Sequence, residues 1–191
     1  MYTKTHIIYI PGFGAKYDWL RSFILSKWRF KGITVDMVPM NWHEGTFDQK
    51  MNAINKAVDR AKSKRIVLIG ESAGGSMAVH MYAHRPDDLS GVITLCGKNI
   101  LPETVQQRYI DNSPAFGVSM KNLNNSIKMI PAVNRSKFVS VYPIYDPVVP
   151  VNETLLPGCR RKRLLLVGHV SVIFITITVL AKVLVSVARK I

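Results

Sequence analysis

The sequence predicts an α/β protein, with a mostly parallel sheet of about six strands and helices on both faces. Short apolar runs alternate along the chain with stretches whose apolar residues recur at helical spacing. The run at residues 65–69 is almost continuously apolar, as expected of a strand that is covered on both sides. With 191 residues, 48% hydrophobic and 20% charged, the chain suits one globular domain over residues 1–191.

Each element is predicted from its local pattern. Short apolar runs, often β-branched and bounded by turn residues, predict strands at residues 6–10, 33–36, 65–69, 92–95, 138–142 and 163–167. Helical spacing of apolar residues predicts helices at 18–30, 47–62 and 73–84, with Gly32 as the C-terminal cap of the first. Residues 170–190 remain as a C-terminal helix.

The alternation is interrupted at residues 97–136. This segment contains Pro102, Pro114 and Pro131, and two short helices are expected within it, around residues 103–110 and 120–129. In an α/β enzyme a long irregular insertion often forms a lid over the active site. A plain connection on the surface is the equal alternative.

The strongest motif is Gly-Glu-Ser-Ala-Gly-Gly at residues 70–75, which contains G-x-S-x-G between a predicted strand and a predicted helix. In this setting the serine lies on a sharp strand-to-helix turn, and the small neighbours two positions away avoid a clash. The free N–H groups of the following helix then point towards developing negative charge. Ser72 is therefore the predicted nucleophile, the alternative being a small-residue turn without chemistry.

Acyl transfer to a serine also needs two N–H donors for the oxyanion. The amide of Ala73, directly after the nucleophile, is the first expected donor. The loop Pro-Gly-Phe-Gly at residues 11–14 follows the first strand, and the amide of Phe13, then that of Gly14, is the expected second donor. An ordinary glycine-rich turn is the alternative for this loop.

The acid and the base are expected later in the chain, in the order serine, acid, histidine. Asp146 and His169 each follow a predicted strand, so both fall at the same sheet edge as Ser72. His169 would accept the serine proton, and Asp146 would fix the tautomer of the imidazole. Trp42 and His43, on a loop after a strand, and Phe116, in the insertion, are candidate substrate contacts; a surface position is the alternative for His43, and ordinary packing is the alternative for Phe116.

These motifs, together with Asp-Pro-Val-Val-Pro at residues 146–150 and Gly168-His169, give the chain a resemblance to the α/β-hydrolase superfamily, in particular to its small, minimal members. The resemblance covers nearly the whole length. It implies a hydrolase of carboxylic esters, thioesters or amides that uses no cofactor, although the family includes acyltransferases and inactive members. The chain departs from the pattern at Pro11, where many lipases have histidine, and in the short segment between Asp146 and the last strand.

Charge and cysteine content indicate partners and compartment. The formal net charge of +14 favours anionic partners, and peripheral contact with an anionic membrane is expected as one option. No nucleic-acid motif accompanies the basic residues, and no His, Cys or carboxylate cluster has metal-ligand spacing, so neither nucleic acid nor metal is expected. Two cysteines and no apparent secretory signal favour a reducing, cytoplasmic compartment.

The functional prediction is a serine hydrolase of the carboxylesterase or lipase type, acting on a small-molecule acyl substrate. Two alternatives stay open: a catalytically silent binding protein on the same fold, and a membrane-anchored protein with residues 164–187 as anchor. The apolar stretch from 164 to 181 has the minimum length for a span, but Gly168-His169 interrupts it. The oligomeric state is not predicted.

Overall fold

A computed structural model describes residues 4–61, 65–100 and 107–191. Its six strands form one entirely parallel sheet in the order β2-β1-β3-β4-β5-β6, which confirms the predicted fold class. The strands are β1 (Thr5–Ile10), β2 (Ile33–Met37), β3 (Arg65–Glu71), β4 (Gly91–Leu95), β5 (Phe138–Tyr145) and β6 (Arg160–Val167). The helices are α1 (Asp18–Ser26), α2 (Phe47–Ala61), α3 (Gly74–His84), α4 (Gln107–Asp111), α5 (Pro114–Met129), α6 (Val151–Thr154), α7 (Val170–Ile177) and α8 (Ala181–Lys190).

The strand order places the functional loops together. The chain passes from β1 outwards to β2, then returns to β3 on the other side of β1 and continues to β6. The loops that follow β1 and β3 therefore leave the same edge of the sheet at the point where the order reverses. In open parallel sheets this point is where ligands bind.

Helices cover both faces of the sheet because successive strand residues point to opposite sides. Ile8 and Leu68 belong to the core under α2, α3 and α5, whereas Ile7 and Val67 belong to the core under α1, α7 and α8. All four side chains have no exposed surface. The two cores hold the central strands, and hence the ends of β1 and β3, in place.

The terminal helix differs from the prediction, because residues 170–190 form two helices, α7 and α8, bent by 74°. At the break the hydroxyl of Thr178 donates to the carbonyl of Phe174, and the Leu180 amide donates to Ile175, five residues back. These bonds replace the regular helical pattern. The first helix is also shorter than predicted: α1 ends at Ser26, and Gly32, with φ 74°, lies in the turn before β2.

The predicted anchor at residues 164–187 is divided in the same way, because residues 164–167 form the end of β6. Within the described ranges no single helix is long and apolar enough to cross a membrane. Only the bent pair α7 and α8 meets that criterion, when its two members are taken together and judged by length and composition.

The described residues of the insertion at 97–136 include one core helix, one short helix and the start of a 3-10 helix at Ala132–Lys137. Ser113 caps α5 by accepting from the Phe116 amide, and Pro114 occupies its first turn, so this helix begins six residues before the predicted 120. The inner side of α5 is buried against α3, so α5 belongs to the layer that covers the sheet. The other predicted helix, at 103–110, lies partly outside the described residues, and α4 covers Gln107–Asp111.

Candidate active site

Ser72 lies in the turn between β3 and α3 with φ 49°, a left-handed conformation that is unusual for a residue other than glycine. Its amide donates to Leu95 (3.0 Å), and its carbonyl accepts from Gly75 (2.9 Å) and Lys98 (2.9 Å). Backbone groups on both sides thus hold the strained residue in place.

Three glycines make this turn possible. A Cβ on Gly70 would lie 2.5 Å from the carbonyl oxygen of Gly74, and one on Gly74 would lie 2.2 Å from that of Ile10. A Cβ on Gly12, in the loop after β1, would lie 2.7 Å from the Cβ of Ser72. Since two of these obstacles are backbone atoms, the turn requires residues without side chains.

A chain of hydrogen bonds joins Ser72 to the two other predicted catalytic residues. His169 Nε2 lies 2.9 Å from Ser72 Oγ, and His169 Nδ1 lies 2.7 Å from Asp146 Oδ2. All three residues are at least 91% buried, since their exposed fractions are 9%, 8% and 4% for Ser72, His169 and Asp146. The carboxylate accepts from Nδ1–H, which leaves Nε2 free to accept the serine proton.

The carboxylate of Asp146 is oriented by its own loop. Asp146 Oδ1 accepts from the amides of Val148 (2.8 Å) and Val149 (2.9 Å), so Oδ2 points towards His169. The loop that bears His169 is tied to the same strand end, because the Gly168 amide donates to the carbonyl of Tyr145 (2.9 Å). The acid and the base are therefore set by two neighbouring loops.

The loop after β1 supplies the second part of the site. Phe13 and Ala73 line the cavity at Ser72, and within the described part of the chain neither backbone N–H has an acceptor. Gly14, the alternative predicted donor to the oxyanion, has φ 95° and is not among the residues that line the cavity. The two amides of Phe13 and Ala73 remain the candidates for an oxyanion hole.

A buried ion pair that the sequence did not predict joins this loop to the serine turn. Arg21 donates from Nη2 to Glu71 Oε1 (2.7 Å) and from Nε to Glu71 Oε2 (2.9 Å), and Tyr9 also donates to Oε2 (2.5 Å). The same guanidinium donates to the carbonyls of Phe13 (3.2 Å) and Gly14 (3.0 Å). One arginine therefore contacts the residue before the nucleophile and the loop that carries the predicted oxyanion donor.

Burial and charge act together on this cluster. Burial raises the pKa of the Tyr9 hydroxyl well above its ordinary value, and the adjacent Glu71 carboxylate raises it further. Burial alone would lower the pKa of Arg21, but the charge and hydrogen bonds of Glu71 raise it, and the net direction is upwards. Tyr9 thus stays neutral and Arg21 charged.

A cavity of about 330 Å³ opens beside Ser72. Most of the residues that line it are apolar, but the lining also includes an ion pair between Lys98 and Glu153. The lining residues are Phe13, Ser72, Ala73, Lys98, Tyr109, Phe116, Pro147, Val148, Val149, Pro150 and Glu153. A second cavity of about 230 Å³ shares Ser72 and continues towards α7.

Only one of the three predicted substrate contacts lines this cavity, namely Phe116. Trp42 is 1% exposed and lies behind Phe13 (ring centroids 5.5 Å apart), with its indole N–H donating to the carbonyl of Pro11. His43 is exposed, and its Nδ1 lies 3.0 Å from the carbonyl of Asn112. Both residues lie on the loop after β2, where Trp42 packs behind the cavity residue Phe13 and His43 is exposed.

Among the residues that the structure describes, Cys96, Asp146 and His169 have potential metal-ligand atoms within 4.8 Å of one another. These residues are far apart in sequence, so their spacing gave no signal. Burial raises the pKa of the Cys96 thiol, and the nearby Asp146 adds to the shift. The thiolate that a metal would need is therefore disfavoured.

Experimental structures of similar fold come from several hydrolases. The chain is similar to a structure reported with LipS and LipT, two metagenome-derived lipolytic enzymes (TM-score 0.69, 14% identity, 99% of this chain and 95% of that chain). It is also similar to a pyrethroid hydrolase from Sphingobium faniae JZ-2 (TM-score 0.64, 16% identity, 96% of this chain and 97% of that chain). A third similar structure is that of a predicted CIB-like hydrolase from Thermoplasma acidophilum (TM-score 0.60, 18% identity, 99% of this chain and 88% of that chain). No curated protein matches the sequence.

The sequence also matches a family model. The model for Phospholipase/Carboxylesterase covers residues 35–140, more than half of the chain, and the match contains the serine turn at residues 70–75. The structural neighbours share the α/β-hydrolase fold that the strand order and the helices display. The chain therefore belongs to the Phospholipase/Carboxylesterase family of α/β hydrolases.

Proposed function

We propose that this protein is a serine hydrolase that cleaves a carboxylic ester, or a related thioester or amide, through an acyl-enzyme on Ser72. The observation that carries the proposal is the continuous hydrogen-bonded chain from Ser72 through His169 to Asp146, at 2.9 Å and 2.7 Å. Membership of a phospholipase and carboxylesterase family supports an ester as the bond that is cleaved.

In the proposed reaction, Ser72 Oγ attacks the carbonyl carbon while its proton passes to His169 Nε2. The negative charge that develops on the substrate oxygen is stabilised by the amides of Phe13 and Ala73. His169 then donates its proton to the leaving alcohol, thiol or amine, and the acyl group remains on Ser72. Water attacks the acyl-enzyme while His169 takes its proton, and His169 returns that proton to Ser72 Oγ as the bond to the acyl group breaks and the carboxylic acid is released.

Asp146 and Glu71 have different roles in this proposal. Asp146 holds Nδ1–H of His169 and stabilises the imidazolium that forms during each transfer. Glu71 is directly before the nucleophile, but both of its oxygens are occupied by Arg21 and Tyr9. It therefore acts as the partner of Arg21 and takes no part in proton transfer.

The test is covalent labelling with a fluorophosphonate probe, which reacts with an activated serine. The wild-type protein should be labelled, and Ser72→Ala and His169→Ala should each abolish labelling. Ser76→Ala is the matched control, because Ser76 is also a buried serine of the same region but bonds to Ala73 and Ser119. Absence of labelling in folded wild-type protein would reject the proposal and favour a catalytically silent binding protein.

A further inference from the structure

An apolar patch surrounds the ends of β5 and β6. Six large apolar side chains that are 48–81% exposed lie in two short segments, residues 144–148 and 165–170. They are Ile144, Tyr145, Val148, Leu165, Val167 and Val170. The two segments adjoin, since Tyr145 pairs with Val167 and accepts from the Gly168 amide. Clusters of this kind on soluble proteins mark contact surfaces.

The patch is uncovered because the connection between β5 and β6 is short. It contains only one helical turn, α6, which packs against β5. On one face of β6, Leu164 is 5% exposed and belongs to the core under α7 and α8. Leu165, on the opposite face, is 81% exposed.

Cations adjoin the patch on the same strand. Residues 160–163 are Arg-Arg-Lys-Arg and all four are exposed. Over residues 4–61, 65–100 and 107–191, none of these four has a carboxylate within ion-pair distance. Arg163 and Arg161 lie two and four residues before Leu165, so they share its face of β6. The surface thus changes from cationic to apolar along one strand.

The patch also contains the rim of the site. Val148 lines both cavities at Ser72, and Val170 lines the second. A second copy of the chain or another protein bound permanently here would cover the entrance. A lipid surface would instead present its own molecules to the opening, and its anionic headgroups would complement the arginines.

We propose that the ends of β5 and β6 dock on an anionic lipid surface, so that the preferred substrate is an acyl ester or thioester held at that surface. The substrate part rests on the proposed function, whereas the docking part stands on the patch and the cations alone. The docking surface contacts lipid from one side, unlike the spanning anchor at residues 164–187 that the sequence left open as an alternative. It orients Ser72 and both cavities towards the lipid.

The first test is sedimentation of the full chain with vesicles of phosphatidylcholine and phosphatidylglycerol, using Ser72→Ala protein as well so that catalysis plays no part. Binding should require the anionic lipid and weaken as salt is added. Arg161→Gln/Arg163→Gln should weaken binding by about 10- to 30-fold. Leu165→Gln/Val167→Gln should weaken it by at least about tenfold.

Matched controls lie on other surfaces. Lys56→Gln/Arg60→Gln removes two exposed cations from α2, and Met129→Gln/Val133→Gln removes two apolar side chains that are 55% and 79% exposed. Both should change binding by less than about threefold. Equal loss in the controls, or no binding by wild-type protein, would overturn the docking surface. A dimer that Leu165→Gln/Val167→Gln dissociates would also overturn it, with a second copy as the occupant.

The second test compares hydrolysis of a short soluble ester with hydrolysis of an ester embedded in the same vesicles. Leu165→Gln/Val167→Gln should keep the soluble rate and lose at least about tenfold on vesicles. Equal rates on both substrates would overturn the substrate class. Failure of the proposed function would appear differently, as absence of hydrolysis of either ester with vesicle binding intact.

Discussion

The two halves of the site are built in different ways. The nucleophile half consists of the turn at residues 70–75 and the loop after β1, where backbone packs on backbone and the Arg21–Glu71 pair is 4% and 1% exposed. The acid–base half consists of the loops that bear Asp146 and His169 at the edge of the sheet, beside side chains such as Tyr145 and Val167 that are more than half exposed. The first half is held by close packing, and the second by a few directed hydrogen bonds.

This difference predicts different responses to substitution. In the nucleophile half a substitution disturbs close packing or leaves a buried charge without its partner, so we expect it to lower the free energy of unfolding. In the acid–base half a substituted side chain of the same shape preserves the loop conformation but alters proton transfer. We therefore expect such a substitution to lower kcat and to leave the free energy of unfolding unchanged. The contrast between the two halves would be wrong if substitutions in both changed kcat and the free energy of unfolding in the same way.

The largest effect is expected from Asp146→Asn. The amide oxygen still accepts from Val148 and Val149, but its NH₂ group faces His169 Nδ1 and forces the proton onto Nε2. His169 can then no longer accept the serine proton, and kcat should fall about 10⁴-fold. Steady-state kinetics on a soluble ester should show this loss while the thermal midpoint stays close to that of the wild type; a loss of less than tenfold would contradict the assignment.

The next effect is expected from Glu71→Gln, measured by urea unfolding. Removal of this charge leaves the Arg21 guanidinium buried with only the more peripheral Asp18, and the free energy of unfolding should fall by about 3–5 kcal/mol. Glu153→Gln is the matched control outside the nucleophile half, because Glu153 on α6 pairs with Lys98 at a cavity wall that is more accessible. It should lower the free energy of unfolding by about 1–2 kcal/mol; a loss equal to that of Glu71→Gln would contradict the special role given to the buried Arg21–Glu71 pair.

A smaller effect concerns the helix behind the nucleophile. His80 on α3 bonds to the Ser119 carbonyl (2.9 Å) and the Ser126 hydroxyl (2.7 Å) of α5, and burial lowers its pKa to about 4. Between pH 6.5 and 4 the unfolded chain binds a proton that the folded chain does not, so stability falls as pH falls through this window. The loss from this group should reach about 3 kcal/mol at pH 4.

His80→Gln should remove this part of the acid dependence, measured as the free energy of unfolding between pH 7 and 4. His43→Gln, which removes a histidine from an exposed loop, is the control and should keep the wild-type dependence. If His80→Gln leaves the slope unchanged, the bonds between α3 and α5 do not require a neutral imidazole.

The features of the fold and site that could be predicted from the sequence are those that depend on residues close together in the chain. The parallel sheet follows from short apolar runs, and the serine turn from small residues between a strand and a helix. The positions of Asp146 and His169 follow from chain order and strand ends, and the structure places both within hydrogen-bond distance of their expected partners. Their catalytic roles stay predictions.

The parts that were missed depend on tertiary contacts. Arg21 lies on α1, whose sequence pattern is that of an ordinary amphipathic helix. Its partner Glu71 is 50 positions away in the sequence, so no local pattern indicates the pair. The sequence does not show whether Trp42 lines the cavity, because this depends on Phe13, which lies between the indole ring and the cavity. The break between α7 and α8 depends on a threonine hydroxyl, and threonine also occurs inside continuous helices.

The position of β6 at the end of the sheet also bears on solubility. β6 is an edge strand whose outer backbone N–H and C=O groups could pair with the same strand of a second molecule. Residues 160–163 would then set rows of like charges against each other as two copies approached edge to edge. We expect these four cations to oppose strand-to-strand aggregation, while the apolar end of the same strand stays available for contact of another kind.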